Sequence, residues 1–334
     1  MIYTHSDAPY ISVIIPTYNR SYMLIQTVRS FIEQNYDHNR FEIIIANNNS
    51  TDNTSEIIGR LVKESPIPII PLLEKRQGAH FARNNAAKLA KGEILYFTDD
   101  DMIADQYLLS EIIRPFVNDD KVATVTGRVF PKWEVPPPQW ILECCNNGLL
   151  SLNDPREDFI ISPFDCNIFS CHQAIKRDVF FECGGYNPDI IGAEWVGDNE
   201  IGLNIKVREK GFKFAYNGKS IIYHMIPPSR MTQGYLNKRY ANQGNCDSYT
   251  EYKKYRYSKA QLIRKIISHG IHYFYHAIKG VVRLVIMKPT YRLNWARTFY
   301  CINRIKYDYR LMNDEKWRQF VIRYNWINEE VKEE

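Results

Sequence analysis

Three consecutive aspartates, Asp99, Asp100 and Asp101, follow directly on the apolar run EILYFT. Carboxylates at the end of a strand repel one another, and a hard divalent cation relieves that repulsion. Two carboxylates one residue apart can share a Mg²⁺ or Mn²⁺ ion that also binds two phosphate groups. A solvated turn is the competing interpretation, because aspartate is common in turns. Residue type and spacing alone leave both interpretations open.

The aspartates end the last of four predicted strands, which alternate with helices along the first hundred residues. The strands are expected at Ile11–Pro16, Phe41–Ala46, Ile67–Leu73 and Glu93–Thr98. The first helix is expected at Tyr22–Glu33, the second after the turn NNNSTDNTSE to about Val62, and the third at Ala79–Ala90. Alternation of this kind predicts right-handed βαβ units and a mostly parallel sheet. Ligands of such sheets bind at the carboxyl ends of the strands, where the polar clusters TYNR, NNNS and DDD fall.

A set of ordered segments resembles family 2 glycosyltransferases with the GT-A fold. The segments lie between about Tyr10 and Arg239 and are SVIIPTYNR, EIIIANNNSTD, RQGAHFARNNAAKLAKGEILYFTDDD, ECGGYNP, EWVGDNEIGLNIKVREKGFK and YH. The resemblance implies an α/β fold with a Rossmann-like, mostly parallel sheet flanked by helices. It also implies a metal-assisted, inverting transfer of a sugar from a nucleoside diphosphate to a glycan or lipid-linked saccharide, as in polysaccharide or glycoconjugate synthesis.

The family's DxD motif implies Asp99 and Asp101 here, with Asp101 contacting the metal and Asp99 reaching either the metal or the ribose. Asp100 serves instead if the motif is displaced by one residue, so it also counts among the nucleotide-binding residues. His224, in IIYHM, occupies the place of a third ligand to Mn²⁺ or Mg²⁺, and a neutral imidazole suits that role. A lone histidine at a strand end is equally often a structural residue.

The resemblance places Asp198 at the acid of the family's ED motif, although Gly197 replaces the usual glutamate. Inverting transfer needs one base that takes the proton of the acceptor hydroxyl. Asp198 is the expected base because it precedes a helix predicted at Asn199–Gly211, and Glu200 is the second choice. Alternatively, Asp198 or Asn199 only caps that helix.

The residues expected to border the donor nucleotide are Pro16, Thr17, Tyr18, Asn19, Arg20, Asn47, Arg83 and Arg230. Asn47 stands where relatives often carry an aspartate that accepts the N3–H of uracil or thymine, and an amide oxygen can accept the same bond without charge assistance. UDP or TDP is therefore favoured, and GDP is left open. Arg83 suits a base or phosphate, or else pairs with a surface acid. Arg230 lies in a loop that can close over the diphosphate.

Aromatic residues are the candidates for binding the saccharide acceptor, because their faces pack on the C–H faces of sugars. We expect contributions from Trp195, which lies beside the predicted base, and from Trp133, in the proline-rich segment PKWEVPPPQW. For Trp140, in the same segment, packing in the core is the preferred interpretation. The resemblance adds His172, where the family often carries a polar residue on the acceptor side.

The chain becomes basic, aromatic and helical near its C-terminal end, so we expect a catalytic domain over residues 1–244 and a C-terminal helical extension over 245–334. Residues 251–310 contain fourteen Lys or Arg against two acids. On a helical wheel residues 263–285 form an amphipathic helix, with breaks expected at Gly270 and Gly280. Its cationic side would carry Arg264, Lys265, His269, His272, His276, Lys279 and Arg283, and its apolar side Ile263, Ile266, Ile267, Phe274, Ile278, Val281 and Val285. Such a helix can lie on an anionic membrane, dock on the catalytic domain or contact a second subunit.

Bulk properties narrow the remaining possibilities. Hydrophobic residues make up 45% of the 334, enough to bury a core, and the seven cysteines show no CxxC spacing. A reducing compartment is therefore favoured over a disulfide-rich or zinc-bound protein. We expect no signal peptide, no spanning helix and no nucleic-acid partner, which favours a cytoplasmic protein, at most peripheral at the inner face of the membrane.

Other functional classes fit less well. A sugar-nucleotide pyrophosphorylase needs a glycine-rich loop after the first strand and a dinucleotide oxidoreductase needs GxGxxG, but this strand runs into PTYNR. A glycoside hydrolase needs two carboxylates that bracket the bond, and no second acid has equal standing. The alternative that remains is a non-catalytic carbohydrate- or membrane-binding protein on the same scaffold. The joint presence of Asp99, Asp101, Asp198, His224 and Arg83 argues against it.

Overall fold

The computed structural model describes residues 8–144, 147–191 and 194–327. Its core is a nine-stranded sheet in the order β3-β2-β1-β4-β8-β6-β11-β5, with β7 paired to β11, and a separate two-stranded ribbon joins β9 to β10. The strands are β1 Ile11–Thr17, β2 Phe41–Asn47, β3 Ile69–Leu73, β4 Ile94–Thr98, β5 Met102–Ala104, β6 Val122–Trp133, β7 Phe159–Ser162, β8 His172–Lys176, β9 Ile190–Ile191, β10 Glu194–Trp195 and β11 Lys213–Ile226.

Helices cover both faces of this sheet and continue beyond it at the C-terminal end. They are α1 Ser21–Ile32, α2 Thr54–Glu64, α3 Ala79–Leu89, α4 Leu108–Ile112, α5 Arg114–Asn118, α6 Gln139–Cys144, α7 Arg177–Glu182, α8 Asn199–Glu209, α9 Gln233–Tyr255, α10 Lys259–Val285, α11 Tyr291–Asn313 and α12 Glu315–Ile322. The four strands and three helices expected in the first hundred residues are all present, with ends that shift by one or two residues.

The mostly parallel arrangement predicted for the sheet is present in its first half and in the long pairing of β6 with β11. Strands β1, β2, β3 and β4 pair in parallel, because each connection between them carries a helix across the sheet. Beyond β4 the sheet is mixed, since β8 runs antiparallel to both β4 and β6, and β5 and β7 run antiparallel to β11. The central strands are fully buried, and two apolar clusters fill the spaces on the two faces of the sheet.

The C-terminal helices pack on the catalytic part of the chain through specific bonds. The Tyr307 hydroxyl donates to the carbonyl of Val196 at 2.6 Å, and the backbone N–H of Trp326 donates to the carbonyl of Gly184 at 2.9 Å. Helix α9 runs without a break through the position of the predicted boundary at residues 244 and 245. The division into a catalytic domain and a helical extension stays a prediction.

The breaks predicted at Gly270 and Gly280 were wrong. Helix α10 is continuous through both positions, because a helical backbone tolerates glycine there, and Gly280 is buried against α11. Of the three histidines predicted on the cationic side, His272 is exposed and the other two face α11. His269 accepts a bond from Arg304 of α11 at 3.2 Å, and His276 lies 3.5 Å from the Asn294 side chain of the same helix.

Two further features bear on the setting of the protein. Six cysteines, all except Cys145 (which lies outside the described residues), are free thiols. Among the residues that the structure describes, no helix is both long and apolar enough to cross a membrane.

Candidate active site

The carboxyl ends of β1 and β4 bring the first residues of the site together. The Thr17 hydroxyl, at the end of β1, donates to Asp100 Oδ2 at 2.8 Å. Nη1 of Arg20 bridges two carboxylates, at 3.1 Å from Asp100 Oδ1 and 3.1 Å from Asp101 Oδ2. The turn itself is held from α1, because the Thr27 hydroxyl donates to the Asp100 carbonyl at 2.8 Å. The aspartates therefore lie in a fixed, buried turn rather than in a solvated one.

Strand β11 adds a second side to the cluster. The Met225 N–H donates to the Asp101 carbonyl at 2.9 Å, and Arg230, in the segment that follows β11, donates from Nη2 to Asp101 Oδ2 at 2.6 Å. His224 lies with Nε2 3.7 Å from the same oxygen. Its Nδ1 is 2.8 Å from the carbonyl of Leu150, and since a carbonyl only accepts, Nδ1 must carry a proton. In the neutral ring the Nε2 lone pair then faces Asp101 and Arg230. Nε2 is in hydrogen-bond contact with Arg230 Nη1.

Asp99 is directed differently from its two neighbours. It forms an ion pair with Arg83 of α3, and its side chain is 35% exposed, whereas Arg83 is buried. The Nε of Arg83 is buried without a hydrogen-bond partner among the described residues. Asp99 is therefore the aspartate of the three that remains accessible to a ligand, and Arg83 fixes its position.

Three guanidinium groups, from Arg20, Arg83 and Arg230, balance the charge of Asp99–Asp101. The sequence predicted that a cation relieves the repulsion of these carboxylates, and in the structure arginines already supply that charge. Burial raises the pKa of Asp100 to about 7, and the neighbouring carboxylates add to the rise while Arg20 opposes it. Burial also acts to raise the pKa of Asp101, but His224, Arg230 and Arg20 outweigh it and hold that pKa below its usual range.

The residues fit a divalent cation that is bound together with a substrate. No group of three or more His, Cys, Asp or Glu side chains in the described ranges forms a metal cage. However, Asp101 Oδ1 is buried and has no hydrogen-bond partner there, so one carboxylate oxygen is left for a ligand. Mg²⁺ typically binds through one or two carboxylates plus substrate phosphates rather than through an all-protein cage. Asp101 and the Nε2 atom of His224 are the groups that would hold it.

Asp198 lies at the N-terminus of α8, but its side chain does not cap the helix. Instead, Oδ1 accepts from the Asn187 amide at 2.6 Å and Oδ2 accepts from the Thr250 hydroxyl of α9 at 2.9 Å. The carboxylate is buried, at 1% exposure. These two neutral donors fix its orientation and leave one lone pair free on each oxygen.

Gly197 has a steric reason to replace the family's glutamate. A Cβ atom at this position would overlap the carbonyl oxygen of Pro188. The backbone around Pro188 therefore approaches the chain too closely for any side chain at 197. If Gly197 stands where the family carries its glutamate, as the resemblance implies, this packing leaves no room for that side chain.

The N-terminus of α3 carries a group of residues that the sequence analysis missed. Asp189 accepts from the backbone N–H groups of Ala79 and His80, both at 3.2 Å, and so caps α3. The ring of His80 lies 3.3 Å from Asp189 and 3.9 Å from Glu200 Oε2. Burial raises the pKa of Glu200, although His80 opposes the rise. No local pattern signals this contact, because the cap lies 110 residues beyond the helix it serves.

Lys206, which the sequence analysis also missed, supports Asp198 through Asn187. Its ammonium donates to the Gly185 carbonyl at 2.7 Å and to Asn187 Oδ1 at 3.2 Å, and Asn187 in turn donates to Asp198. Burial lowers the pKa of Lys206 to about 7, and the neighbouring Lys253 adds to this effect. A lysine inside the polar pattern of α8 carries no sequence signal for such a role.

The depressed pKa of Lys206 predicts a pH dependence of stability. Because the unfolded chain retains a lysine pKa near 10.5, it binds more protons than the folded chain as the pH rises from about 7 towards 10.5. The free energy of unfolding should therefore rise over this range relative to a Lys206→Met variant, by at most about 1.4 kcal/mol per pH unit. Urea unfolding of both proteins across this range checks it, and a pH-independent difference between the two would contradict it.

Two donor-side predictions have different outcomes in the structure. Thr17 and Arg20 contact the aspartate cluster as described. The Asn47 side chain, in contrast, is used within its own loop: its amide donates to Ser55 at 2.9 Å and its oxygen accepts from the Ser50 N–H at 2.9 Å. Asn19, with a positive φ of 52°, accepts from the Thr51 N–H at 2.7 Å and joins the two loops.

The acceptor-side predictions separate in the same way. His172 was wrong as a cleft residue, because it is fully buried in the sheet, 2.6 Å from the Tyr96 hydroxyl and 3.1 Å from the Ser220 carbonyl. Burial lowers its pKa to about 4. Trp195 donates to Cys246 at 3.1 Å and is half-buried near α9. Trp133 packs on the apolar cluster that contains Met231, the residue after Arg230.

Comparison with known proteins places this arrangement among sugar transferases. The family model described as "Glycosyl transferase family 2" matches residues 12–183. A glucosyl-dolichyl phosphate glucuronosyltransferase of Haloferax volcanii is 24% identical over 229 residues, covering 65% of this chain and 69% of that protein. A GalNAc(5)-diNAcBac-PP-undecaprenol β-1,3-glucosyltransferase of Campylobacter jejuni is 36% identical over 94 residues, covering 28% of this chain and 30% of that protein.

Solved structures resemble this chain in fold. A mannosyltransferase from Pyrobaculum calidifontis, in complex with GDP-Man and Mn²⁺, aligns with a TM-score of 0.61 and 17% identity over 93% of this chain and 89% of its own. GalNAc-T7 with UDP, GalNAc and Mn²⁺ aligns with a TM-score of 0.52 and 19% identity over 71% and 48%. The GT-A fold expected from the sequence is confirmed. With the family model matching more than half of its length, the chain belongs to glycosyl transferase family 2 and is a glycosyltransferase.

Proposed function

We propose that this enzyme transfers a sugar from a nucleoside-diphosphate donor to a saccharide acceptor, with metal assistance and with inversion at the anomeric carbon. The observation that carries the proposal is Asp101, whose buried Oδ1 has no hydrogen-bond partner in the described part of the chain, while Arg20 and Arg230 converge on its Oδ2. A site with one unused carboxylate oxygen and two flanking guanidinium groups suits a diphosphate bound with a cation.

On the donor side, the protein's task is to bind and stabilise the departing diphosphate. A bound Mn²⁺ or Mg²⁺ would supply positive charge to the phosphate oxygens as a Lewis acid. Arg20 and Arg230 can shift their bonds from Asp101 to phosphate oxygens, because a guanidinium donates in a fork that suits both anions. Asp99, held by Arg83, is the accessible carboxylate for the ribose. UDP or TDP was favoured because of Asn47, but this side chain is engaged within its own loop, so UDP, TDP and GDP stand as equal candidates for the donor nucleotide.

On the acceptor side, Asp198 is the proposed base. It takes the proton as the acceptor oxygen attacks the anomeric carbon and the bond to the diphosphate breaks, so one displacement inverts the centre. Asp198 Oδ2 accepts one bond, from Thr250, and keeps a second lone pair that can take the acceptor proton. Glu200 is the second candidate, because its side chain is 18% exposed and lies near His80.

A lipid-linked saccharide is the proposed acceptor class. The names of two relatives support this choice, because one names glucosyl-dolichyl phosphate and the other an undecaprenol-linked saccharide as the substrate. A free glycan acceptor is the runner-up. Trp195 and Trp133 are the aromatic residues proposed to contact the acceptor. Trp195 lies close to Asp198 in the sequence, and Trp133 packs on the apolar cluster that contains Met231, the residue after Arg230.

Titration calorimetry with UDP, TDP, GDP and CMP, each with and without Mn²⁺, tests the donor site directly. We expect one nucleoside diphosphate to bind in a metal-dependent way to the wild type, and an Asp101→Ala variant to lose at least about 100-fold in affinity, because one ligand and a charged hydrogen-bond centre are removed. Asp158→Ala is a matched control, because the Asp158 side chain is 89% exposed and its ion pair with Arg128 is long, at 3.9 Å.

The result also separates the competing functions. If no nucleotide binds with metal dependence to the wild type, the proposed donor site is wrong, and a non-catalytic carbohydrate-binding protein on this scaffold becomes the better interpretation. If Asp101→Ala binds as tightly as the wild type, the metal and diphosphate lie elsewhere.

A further inference from the structure

Helix α10 presents a row of large apolar side chains to solvent. The row, which we call the outward apolar face, consists of Ile263, Ile267, Ile271, Phe274, Ile278, Val281 and Val285, with exposures between 47% and 75%. From Ile267 onwards the spacing alternates between four and three residues, so these side chains form one stripe along the helix. At 27 residues, α10 is about 40 Å long, and the stripe runs along most of it.

The opposite side of α10 is already used for packing within the chain. Leu262 and Gly280 are buried, and His269 and His276 face polar groups of α11. The sequence left open whether the apolar side docks on the catalytic domain. In the described chain the outward apolar face does not dock, because α10 packs through Leu262, Gly280 and the two histidines while this face is exposed. Exposed apolar patches of this extent mark interaction surfaces.

The charges beside the outward apolar face are all of one sign. Helix α10 contains no Asp or Glu and five Lys or Arg residues, of which Lys265 is paired with Glu251. Of the other four, Lys259 and Arg264 border the outward apolar face on its two sides, whereas Lys279 and Arg283 lie on the far side of the helix at 100° per residue. The apolar surface continues past the helix through Ile286 and Met287, at 53% and 87% exposure, and ends at the exposed Lys288.

This charge pattern decides between two occupants. A second copy of the chain would bring two identical cationic helices together, and α10 has no acid to form the interhelical ion pairs that normally flank an apolar seam. An anionic lipid surface complements both the apolar stripe and its basic flanks. We propose that the outward apolar face of α10 docks this enzyme on an anionic membrane surface, with the helix lying in the plane of the interface.

The docking surface is connected to the active site through α11. The Arg292 guanidinium lies 4.6 Å from the ring centre of Trp140, and its carbonyl accepts from the Gln233 side chain at 3.1 Å. Gln233 begins α9, three residues after Arg230. Arg292 follows Val285, the last residue of the outward apolar face, by seven residues, so the chain after α10 contacts the segment that carries Arg230. An enzyme docked in this way holds that segment near the lipid surface.

Co-sedimentation with lipid vesicles tests the proposal. We expect the wild type to bind vesicles of phosphatidylcholine with about 30% phosphatidylglycerol and to bind pure phosphatidylcholine far more weakly, with a loss of binding as salt is raised. Phe274→Gln/Ile278→Gln should lower the partition coefficient on the order of 100-fold, because two apolar side chains no longer enter the interface. Lys259→Gln/Arg264→Gln should lower it about tenfold or more on anionic vesicles only.

Val62→Gln/Val117→Gln, on α2 and α5, is the matched control, since both valines are exposed on helices of the catalytic part. It should bind vesicles like the wild type. Metal-dependent nucleotide binding or the thermal transition of each variant reports that it is folded. Vesicle binding does not involve sugar transfer, so its outcome is independent of the proposed function.

Two results would overturn the proposal. One is wild-type protein that fails to bind anionic vesicles, or binds neutral ones equally well. The other is light scattering that detects a dimer of the wild type which Phe274→Gln/Ile278→Gln dissociates, with vesicle binding unchanged; the outward apolar face would then be a contact between copies of this chain.

Discussion

Asp198→Asn is expected to reduce kcat about 10³-fold while nucleotide affinity stays within a few-fold of the wild type. The asparagine keeps the shape of the side chain and its bond from Thr250, but it cannot take a proton from the acceptor hydroxyl. Because the residue contacts Asn187 and Thr250 and none of the aspartates of the donor site, donor binding should be nearly independent of it. Initial-rate kinetics with saturating donor, together with calorimetry of the nucleoside diphosphate, checks both parts.

Glu200→Gln is the paired variant that distinguishes the two candidate bases. Both acids lie at the start of α8, and they differ in environment: Asp198 is buried between two neutral donors, whereas Glu200 is partly exposed beside His80. With Asp198 as the base, Glu200→Gln should lower kcat less than tenfold. The reverse order of effects would assign the base to Glu200 and leave Asp198 as a residue that orders the start of α8.

Restoring the family's glutamate, Gly197→Glu, is expected to destabilise the protein by about 3 kcal/mol, since a side chain at this position must displace the carbonyl of Pro188. Gly197→Ala should show most of the same effect, because the overlap begins at Cβ. Urea unfolding monitored by tryptophan fluorescence measures the change in the free energy of unfolding. Turnover should fall as well, because the displaced backbone at Pro188 follows directly on Asn187, whose amide donates to Asp198.

Gly59→Ala is the control for this substitution. A Cβ atom at Gly59, inside α2, meets no atom within 4 Å, so alanine there should stabilise the helix by about 0.5–1 kcal/mol. A Gly197→Glu variant as stable as the wild type would contradict the steric explanation. The missing glutamate would then need a functional cause.

Much of the site could be predicted because it depends on local order along the chain. The apolar runs of β1 and β4 predict buried parallel strands, and such strands place the residues after them at one edge of the sheet. Thr17, Arg20 and the three aspartates therefore had to lie together. The family resemblance added His224 and Arg230, which sit at the end and just beyond the end of β11, the strand that pairs with β5 directly after the aspartates.

Other contacts could not be predicted because they join segments far apart in the chain. His172 looked like an acceptor residue, but β8 pairs between β4 and β6 and carries it into the middle of the sheet. Asp189 caps a helix 110 residues earlier, and Lys206 supports Asp198 through Asn187. Burial and charge partners decide such roles, and neither is a property of one segment.

The sequence by itself determined the glycosyltransferase family, the alternation of strands and helices and the edge of the sheet at which the aspartates lie. Strand periodicity and motif order are local properties, so they survive without knowledge of the packing. Only the tertiary structure decided which side of α10 faces solvent, because the amphipathic pattern is the same whether its apolar side is covered or open. It also decided that arginines, rather than solvent, surround Asp99–Asp101. Guanidinium groups from three distant segments reach the aspartates only when β1, α3 and the chain after β11 pack together.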